Sequence, residues 1–407
     1  MSPAIRIAHE RAGSMMERSK MTHDVVIVGA GPAGLALAAA LAGSGLRIAL
    51  VERQPLAAIA SPAVDGREIA LTHRSVRELR ALGAWERIPA DGIAPLREAR
   101  VLNGGSPFAL SFGSGAEERL GHLVSNHLIR RALFEVLEAL PGVDILPERS
   151  TAAISGGPRA VSIRCEDGEE LRAPLLVGAD SRFSFVRDQL GIGAEVNRLG
   201  RAMLVCRVAH DGDHGGVATE WFDHGQTIAM LPLNGRQSSA VLTLPSADIA
   251  HLAALDPAAL GGELTRRYEG RLGRMDLVGP AHVYPLATTY ARHFAAPRAA
   301  LIGDAAVGMH PVTAHGFNLG LASACLLGTL VADAARQGKD IGSSLLLRRY
   351  EATHRLASRP IYTATNVIVG LYTAEHPAAR AVRHAGLRAA ARLPLVSRGV
   401  SRLLMQP

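Results

Sequence analysis

The stretch "DVVIVGAGPAGLALAAALAGSGLRIALVER", residues 24–53, decides the fold of this chain. A short apolar run leads into closely spaced glycines, an apolar helical segment follows, and a second apolar run ends at Glu52. Apolar runs without alternation are typical of parallel strands that are buried on both faces. The stretch therefore predicts a strand, a helix and a second strand in a βαβ unit.

The glycines of this unit form the pattern GxGxxG between the first strand and the helix. The first glycine permits a tight turn, the second lets the backbone approach a pyrophosphate, and the third lets helix and strand pack closely. Glu52 lies 18 residues beyond Gly34, where its carboxylate can accept hydrogen bonds from ribose hydroxyls. These features predict a dinucleotide site, for NAD or FAD, at Gly29, Gly31, Pro32, Ala33, Gly34, Glu52 and Arg53.

Two later apolar runs also end in an acid. "PLLVGAD" places Asp180 at the end of residues 174–180, and "AALIGD" places Asp304 at the end of residues 299–304. Open α/β sheets bind ligands at the carboxyl ends of their strands, so these acids are expected to lie beside the GxGxxG loop.

Composition limits the class of protein. The chain has 407 residues, 48% of them hydrophobic, and a net charge of +7 carried almost wholly by arginine. This charge suits an anionic partner such as a nucleotide or a membrane surface, and no nucleic-acid-binding motif accompanies it. The three cysteines have no CxxC spacing, so no metal is expected. No run of about 18 uncharged apolar residues predicts a membrane span.

Three segments resemble the flavin motifs of a known family. "GAGPAG", "VGADSRFSFVR" and "LIGDAAVGMHPVTAHGFNLGL" are similar, in order and separation, to those of the FAD-dependent aromatic hydroxylases of the p-hydroxybenzoate hydroxylase type, the class A flavoprotein monooxygenases. Within that family, "REIALTHRSVRELRALGAWERI" and "HPVTAHGFNLGL" look most like the ubiquinone-biosynthetic hydroxylases and their UbiM branch.

The resemblance implies an α/β fold. It consists of a Rossmann-like, GR2-type FAD-binding domain, an inserted antiparallel-sheet substrate domain and a helical C-terminus. Short alternating runs between residues 198 and 286 support the inserted sheet. The expected divisions are a flexible tail at 1–20, a discontinuous FAD-binding domain at 21–97, 119–197 and 287–349, a substrate sheet at 98–118 and 198–286, and a helical region at 350–407.

The resemblance also implies roles for individual residues. Arg67 matches a flavin-contacting arginine, and Asn126 matches a polar residue on the adenosine side. Asp180 and Asp304 match the acids of the second and third motifs. Four residues match positions beside the isoalloxazine ring, namely Pro311, Gly316, Phe317 and Asn318.

Other residues are open to more than one interpretation. His310 and His315 flank the expected ring position, and we expect both to be hydrogen-bonding spacers rather than an acid or a base. Trp221, Met230 and Pro232 are candidates for substrate contact, with core packing as the alternative. Ser181 departs from the family, because most members have glycine there.

The activity implied is hydroxylation of an aromatic ring. Non-covalent FAD, reduced by a transiently bound NAD(P)H, would react with O2 to form a hydroperoxide at flavin carbon 4a. The expected substrate is a polyprenylated phenol or quinol of ubiquinone biosynthesis. Three alternatives are a soluble aromatic hydroxylase of catabolism or secondary metabolism, a flavin reductase of prenyl chains and a flavin-binding scaffold.

The C-terminal tail predicts where such a protein works. From His376 it carries six arginines and no acid, interleaved with apolar residues. Basic amphipathic segments of this kind lie on anionic membrane surfaces. We expect a cytoplasmic protein with peripheral contact to the inner face of the cytoplasmic membrane, or to a biosynthetic complex, through this tail.

Overall fold

A computed structural model describes residues 23–105, 109–113, 119–223 and 225–373. The predicted flexible tail at 1–20 and the basic segment from His376 lie outside the described residues. The opening stretch forms the expected unit, consisting of strand β1 (Val25–Val28), helix α1 (Pro32–Leu41) and strand β2 (Ile48–Val51). The two strands pair in parallel, and every residue of both is buried.

The βαβ unit lies at the centre of a six-stranded sheet. The added strands are β8 (Val143–Leu146), β12 (Leu175–Gly178), β18 (Ala295–Ala296) and β19 (Ala299–Leu301). The order is β18-β19-β12-β1-β2-β8, parallel except for β18. The strands that precede Asp180 and Asp304 are therefore neighbours, and only β1 separates them from the strand that precedes Glu52. The carboxyl ends of these parallel strands share one edge.

Two small antiparallel sheets flank this parallel sheet. One has the order β3-β7-β4 and the other the order β11-β10-β9. Their strands are β3 (Glu68–Leu71), β4 (Ile93–Leu96), β7 (Gly121–Ser125), β9 (Thr151–Gly156), β10 (Val161–Cys165) and β11 (Glu170–Ala173).

The largest sheet has eight strands in the order β20-β17-β13-β16-β15-β14-β5-β6. These strands are β5 (Glu98–Asn103), β6 (Leu110–Gly113), β13 (Ala194–His210), β14 (Val217–Asp223), β15 (Gln226–Pro232), β16 (Gln237–Pro245), β17 (Met275–Ala291) and β20 (Val307–Gly308). All neighbours are antiparallel except β14 and β5. The predicted divisions at 197 and 286 fall inside β13 and β17, because these long strands cross from one domain to the other.

Helices cover the sheets. They are α2 (Leu56–Ala60), α3 (His73–Ala81), α4 (Asn126–Glu138), α5 (Phe185–Gln189), α6 (Ser246–Ala253), α7 (Pro257–Arg267), α8 (Gly316–Arg336) and α9 (Ser344–Thr373). Helix α8 packs closely on α1, since a Cβ at Gly328 would lie 2.7 Å from the Cβ of Ala40. The predicted division at 349 falls inside α9.

One described helix, α8, is long and apolar enough to cross a membrane by length and composition. The sequence had predicted no such segment. However, 56% of the apolar stretch of α8 is buried inside the protein, as expected for a helix of the core.

Candidate flavin site

The glycine loop between β1 and α1 has the shape of a dinucleotide-binding turn. Gly29 has a φ of +107°, and a Cβ there would lie 2.5 Å from the carbonyl oxygen of Ala179. A Cβ at Gly34 would lie 1.9 Å from the carbonyl oxygen of Gly29. Both positions therefore require glycine for packing.

Gly31 differs from these two glycines. A Cβ there would meet no atom of the described residues within 4 Å, so the side of the loop at Gly31 is open. No side chain caps the N-terminus of α1, where Gly31 is the N-cap and Pro32 and Ala33 begin the helix. Helix N-termini with free amides attract anions, and this one offers both the amides and the space for a pyrophosphate.

Glu52 lies against the same loop. Its carboxylate accepts hydrogen bonds from the amide nitrogen of Ala30 at 2.7 Å and from that of Gln54 at 3.0 Å. These bonds fix the carboxylate at the carboxyl end of β2, beside the glycine turn. Arg53 follows at once in the chain and has no other contact in the described site.

Arg67 belongs to a polar cluster at the start of β3. Its guanidinium donates two hydrogen bonds to Asp65, at 3.0 and 2.6 Å, and lies over the ring of Tyr284. Asn126 donates to the same Asp65 carboxylate at 2.7 Å. Burial raises the pKa of Asp65, but the charge and hydrogen bonds of Arg67 and the bond from Asn126 lower it overall. Asn126, which the resemblance assigns to the adenosine side, thus shares the Asp65 carboxylate with Arg67.

Arg130 is a candidate site residue that the sequence did not reveal. It lies one turn after Asn126 in α4, and it makes no hydrogen bond or ion pair with any described residue; its Nε atom is buried without a partner. Burial lowers the pKa of Arg130, and Asp65, Arg67 and Glu52 are the charged groups that act on it. An unpaired cation between Glu52 and Arg67 is suited to hold a phosphate.

Asp180 positions the second motif. Its two carboxylate oxygens accept from the Ser184 hydroxyl at 2.6 Å and from the Val186 amide at 3.1 Å, and so cap helix α5. Ser181, which stands where most members of the family have glycine, has a φ of +157°, a conformation in which glycine is favoured. The buried Arg187 donates to the carbonyl oxygens of Arg182 and Ala305 and ties the second motif to the third.

Asp304 lies in a short 3₁₀ turn after β19, and its side chain is 39% exposed. Arg182 donates to its carboxylate at 3.0 Å and to the carbonyl oxygen of Ala287 at 2.9 Å. Arg67 also interacts electrostatically with Asp304. Glu52, Arg130, Arg67 and Asp304 therefore form a row of charges in which each member interacts electrostatically with the next. Arg182, like Arg130, was not nominated from the sequence.

His310 lies next to this row. Its Nδ1 atom accepts a hydrogen bond from the Val312 amide and caps the short turn that begins at Pro311. Burial, together with the charges of Arg201 and Arg182, lowers the pKa of His310 to about 4. The imidazole is therefore neutral at neutral pH, as expected for a side chain that acts as a hydrogen-bonding spacer.

Helix α8 begins at Gly316, with the buried His315 at its N-cap. The Asn318 side chain is fully engaged. It accepts from the Thr72 amide and the Ser75 hydroxyl, and it donates to the carbonyl oxygens of Ala70 and Ala314. Its side chain thus attaches α8 to β3 and α3, and the backbone amides of Gly316, Phe317 and Asn318 are what the helix start offers a ligand.

The eight-stranded sheet has two different faces. Residues of β13 with odd numbers face the FAD-binding half, since Arg207 donates to Glu68 at 2.7 Å and the Val205 side chain packs on Gly66. The other face packs against α6 and α7. Trp221, Met230 and their neighbours lie in that second core, and Trp221 is only 1% exposed. Pro232 is buried and shares this face by its position on β15.

The three substrate candidates are thus not brought together with the flavin-site residues. The alternation of side chains along a strand places them behind the sheet, and the core-packing alternative describes Trp221 and Met230. Within the described residues, no group of three His, Cys, Asp or Glu side chains could hold a metal ion.

These features define a class of protein. A glycine loop that is open at Gly31, a carboxylate at the end of β2 and a third strand end with Asp304 form a dinucleotide-binding site of the FAD type. A large mixed sheet faces that site, and this architecture is that of a two-domain flavoprotein.

Comparisons with known proteins specify the family. Residues 22–364 match a family model described as FAD binding domain. The chain is 44% identical to the ubiquinone hydroxylase UbiM of Neisseria meningitidis over 94% of this chain and 84% of that protein. It is 34% identical to the ubiquinone hydroxylase UbiL of Rhodospirillum rubrum, over 91% and 86%. The fold is similar to that of p-nitrophenol 4-monooxygenase PnpA from Pseudomonas putida, with a TM-score of 0.76 at 20% identity, over 95% and 99%.

The chain therefore belongs to this family of FAD-dependent monooxygenases. The fold class expected from the sequence and the requirement for FAD are confirmed.

Proposed function

We propose that this protein hydroxylates the aromatic ring of a polyprenylated phenol or quinol precursor of ubiquinone, with NAD(P)H and O2. The observation that carries the proposal is the 44% identity to a ubiquinone hydroxylase over nearly the whole chain. The architecture supports it, because a broad sheet face opposite the flavin site provides a surface on which an aromatic ring can lie.

The residues of the site would hold FAD along the row of charges. The open loop at Gly31 and the start of α1 would bind the pyrophosphate with Arg130, and Glu52 would bind the adenosine ribose. Asp304 would exchange part of its contact with Arg182 for the flavin side chain. When bound, FAD supplies electron transfer from NAD(P)H and the activation of O2.

The ring of the flavin would lie beside Pro311 and the start of α8. A helix N-terminus carries about half a positive charge, and the amides of Gly316, Phe317 and Asn318 would stabilise negative charge on the reduced ring. His310 would shape this wall as a neutral side chain. The tasks of the protein are then to bind the flavin and the substrate, to orient the substrate ring and to exclude water.

Genetic complementation with product identification tests the proposed substrate. The gene is introduced into bacterial strains that each lack one ring hydroxylase of ubiquinone synthesis, and quinones are identified by mass. We expect at least one strain to regain ubiquinone and to lose the accumulated precursor. Failure in every strain, while the protein is present and contains FAD, would exclude this substrate class.

We also propose that the protein binds peripherally to the anionic inner face of the cytoplasmic membrane. On α9, the exposed Leu345, Leu356 and Val367 are spaced by 11 residues, about three helical turns, and so lie on one side. The only acid of the helix, Glu351, is mostly buried and contacts His293. The exposed Arg348 and Arg349 accompany this apolar row, and the basic segment from His376 continues the chain outside the described residues.

Flotation with anionic liposomes tests the membrane proposal. We expect the full chain to bind at low salt and to be released at high salt, since each surface arginine contributes at most about 1 kcal/mol. A chain ending at Glu375 should lose most of the binding, and Leu356→Gln should weaken it. Val278→Gln, at an exposed apolar position on β17, is the matched control. Equal binding by all four proteins, or none by any, would contradict the proposal.

A further inference from the structure

Glu220 is the charged residue that the flavin site leaves unexplained. It is the neighbour of Trp221 on β14, and alternation along the strand directs its side chain to the opposite face of the sheet. Its carboxyl group makes no hydrogen bond or ion pair with any described residue, although it is deeply enclosed and only partly accessible to solvent. A carboxyl group in such a place is costly without a partner.

The strand register shows where this side chain lies. Val205 pairs with Val241, Val241 with Ala229, and Ala229 with Glu220. Directly paired residues share a face, so these four form one row across the sheet. Val205, at the end of the row, packs on Gly66 of the FAD-binding half. Glu220 therefore points to the flavin side, three strands or about 14 Å from Val205.

The described neighbours of Glu220 on this face of β14, β15 and β5 carry no charge. Ala218 precedes it and Phe222 follows it on the same side of β14, while Ala229 and Val101 flank it on β15 and β5. The charged residues of β5 lie on the other face, because Glu98 and Arg100 pair with Val217 and Thr219. Of the two cations of β13 on the flavin side, Arg207 binds Glu68 three strands away. Arg201 reaches across the sheet and donates to the carbonyl oxygen of Gly225, in the turn between β14 and β15.

We propose that the Glu220 carboxyl group binds a ring oxygen of the aromatic substrate and so orients the ring on the sheet face opposite the flavin. This inference rests on the proposed function. A carboxyl group whose nearest neighbours on the sheet are Ala218, Phe222, Ala229 and Val101 is complementary to an aromatic ring that carries a hydroxyl group, since the neutral acid both donates and accepts a hydrogen bond.

The protonation state agrees with this role. Burial raises the pKa of Glu220 to about 8, so the group is mostly neutral at pH 7. Because the folded state retains this proton to a higher pH than the unfolded chain does, the group makes the fold less stable as pH rises from about 4.5 to about 8. Glu220→Gln should remove this dependence and gain thermal stability over the wild type as pH rises.

Two variants test the contact with substrate. Glu220→Leu should keep its FAD and raise the KM for a phenol substrate about tenfold, with more peroxide released per NAD(P)H, because the lost hydrogen bond leaves the ring misplaced. Glu220→Gln keeps a donor and an acceptor, so its KM should stay within about threefold of the wild type. The KM of the wild type should rise above pH 8, where the ionised carboxylate resists dehydration, and that of Glu220→Gln should not.

The outcomes separate this inference from the proposed function. If the wild type oxidises no phenol, the proposed function fails. The role of Glu220 is then tested by the affinity for a phenol, which is measured from the change in flavin absorbance when the phenol binds. Unchanged KM and coupling, or unchanged phenol affinity, in Glu220→Leu would overturn the inference. If that variant does not fold, an unaltered pH profile of Glu220→Gln would overturn it, and loss of the alkaline change would support it.

Discussion

The glycine loop of residues 29–34 and strand β14 both face the flavin side of the protein, but the loop presents backbone groups and the strand presents side chains. The loop contributes backbone, and its shape depends on positions at which a side chain cannot exist. The strand contributes alternate side chains, of which Glu220 faces the site and Trp221 faces the core. A site built from backbone groups can thus be recognised from the residue types alone. A site built from the side chains of a strand also requires knowledge of the side of the sheet to which each side chain points.

The largest effect is expected at Gly34. Alanine there would place a Cβ 1.9 Å from the carbonyl oxygen of Gly29, so we expect a loss of at least about 3 kcal/mol of stability. Gly31→Ala is the matched variant, because it meets no described protein atom. It should melt like the wild-type apoprotein and yet retain less FAD. Thermal unfolding and flavin absorbance measure both, and normal FAD binding by Gly31→Ala would show that the pyrophosphate lies elsewhere.

Trp221 provides the contrast in the sheet. It contacts Tyr268 edge-on and Arg271 through a cation–π contact at 4.4 Å. Trp221→Ala should lower the free energy of unfolding by about 3–5 kcal/mol through the cavity it leaves. Trp221→Phe, a smaller change, should lower it less, and its KM for the phenol should match that of the wild type. A rise in the KM of Trp221→Phe at unchanged stability would indicate that Trp221 contacts the substrate.

Asp304 tests the polar end of the flavin row. Removing a charge-assisted hydrogen bond costs about 1.5–3 kcal/mol, which corresponds to FAD affinity lower by about 10- to 100-fold. Purified Asp304→Ala should therefore contain little flavin, and Asp304→Asn should lie between that variant and the wild type. Full flavin content in Asp304→Ala would mean that the flavin does not pass along this carboxylate.

Arg130 tests the phosphate end of the same row, with its neighbour in sequence as the control. Arg130→Ala should weaken FAD binding by about tenfold, because an unpaired cation beside the pyrophosphate is lost. Arg131 is more exposed, and its ion pair is with Glu135 at 3.6 Å, so Arg131→Ala should bind FAD as the wild type does. Titration of the apoproteins with FAD measures both, and equal affinities would remove Arg130 from the site.

The smallest effect is expected at His310. Its pKa of about 4 makes the ring neutral and only weakly basic near neutral pH, so His310→Gln should lower turnover by less than the ~100-fold typical of a lost acid or base. The pH profile between 5 and 8 should also keep its shape. A thousandfold loss at unchanged FAD content would make His310 a catalytic residue.

Much of the flavin half could be predicted because its signals are local. Gly29, Gly31 and Gly34 have fixed spacing, and Glu52 and Asp304 end apolar runs. Arg130 could not be found in this way, because its role depends on the approach of α4 to Glu52 and Asp65. The choice between Glu220 and Trp221 depends on the register of β13 through β14, and a shift of one residue exchanges the two faces.

The central claim, that this protein transfers oxygen from O2 to an aromatic ring, is tested most directly with labelled oxygen. Purified protein with FAD, NAD(P)H and a short-chain prenylated phenol is incubated under ¹⁸O₂, and the mass of the product is measured by mass spectrometry. If the protein is a monooxygenase, the product carries one ¹⁸O atom in a new ring hydroxyl group. Consumption of NAD(P)H with peroxide as the only oxygen product, or a hydroxyl group that takes its oxygen from water, would contradict it.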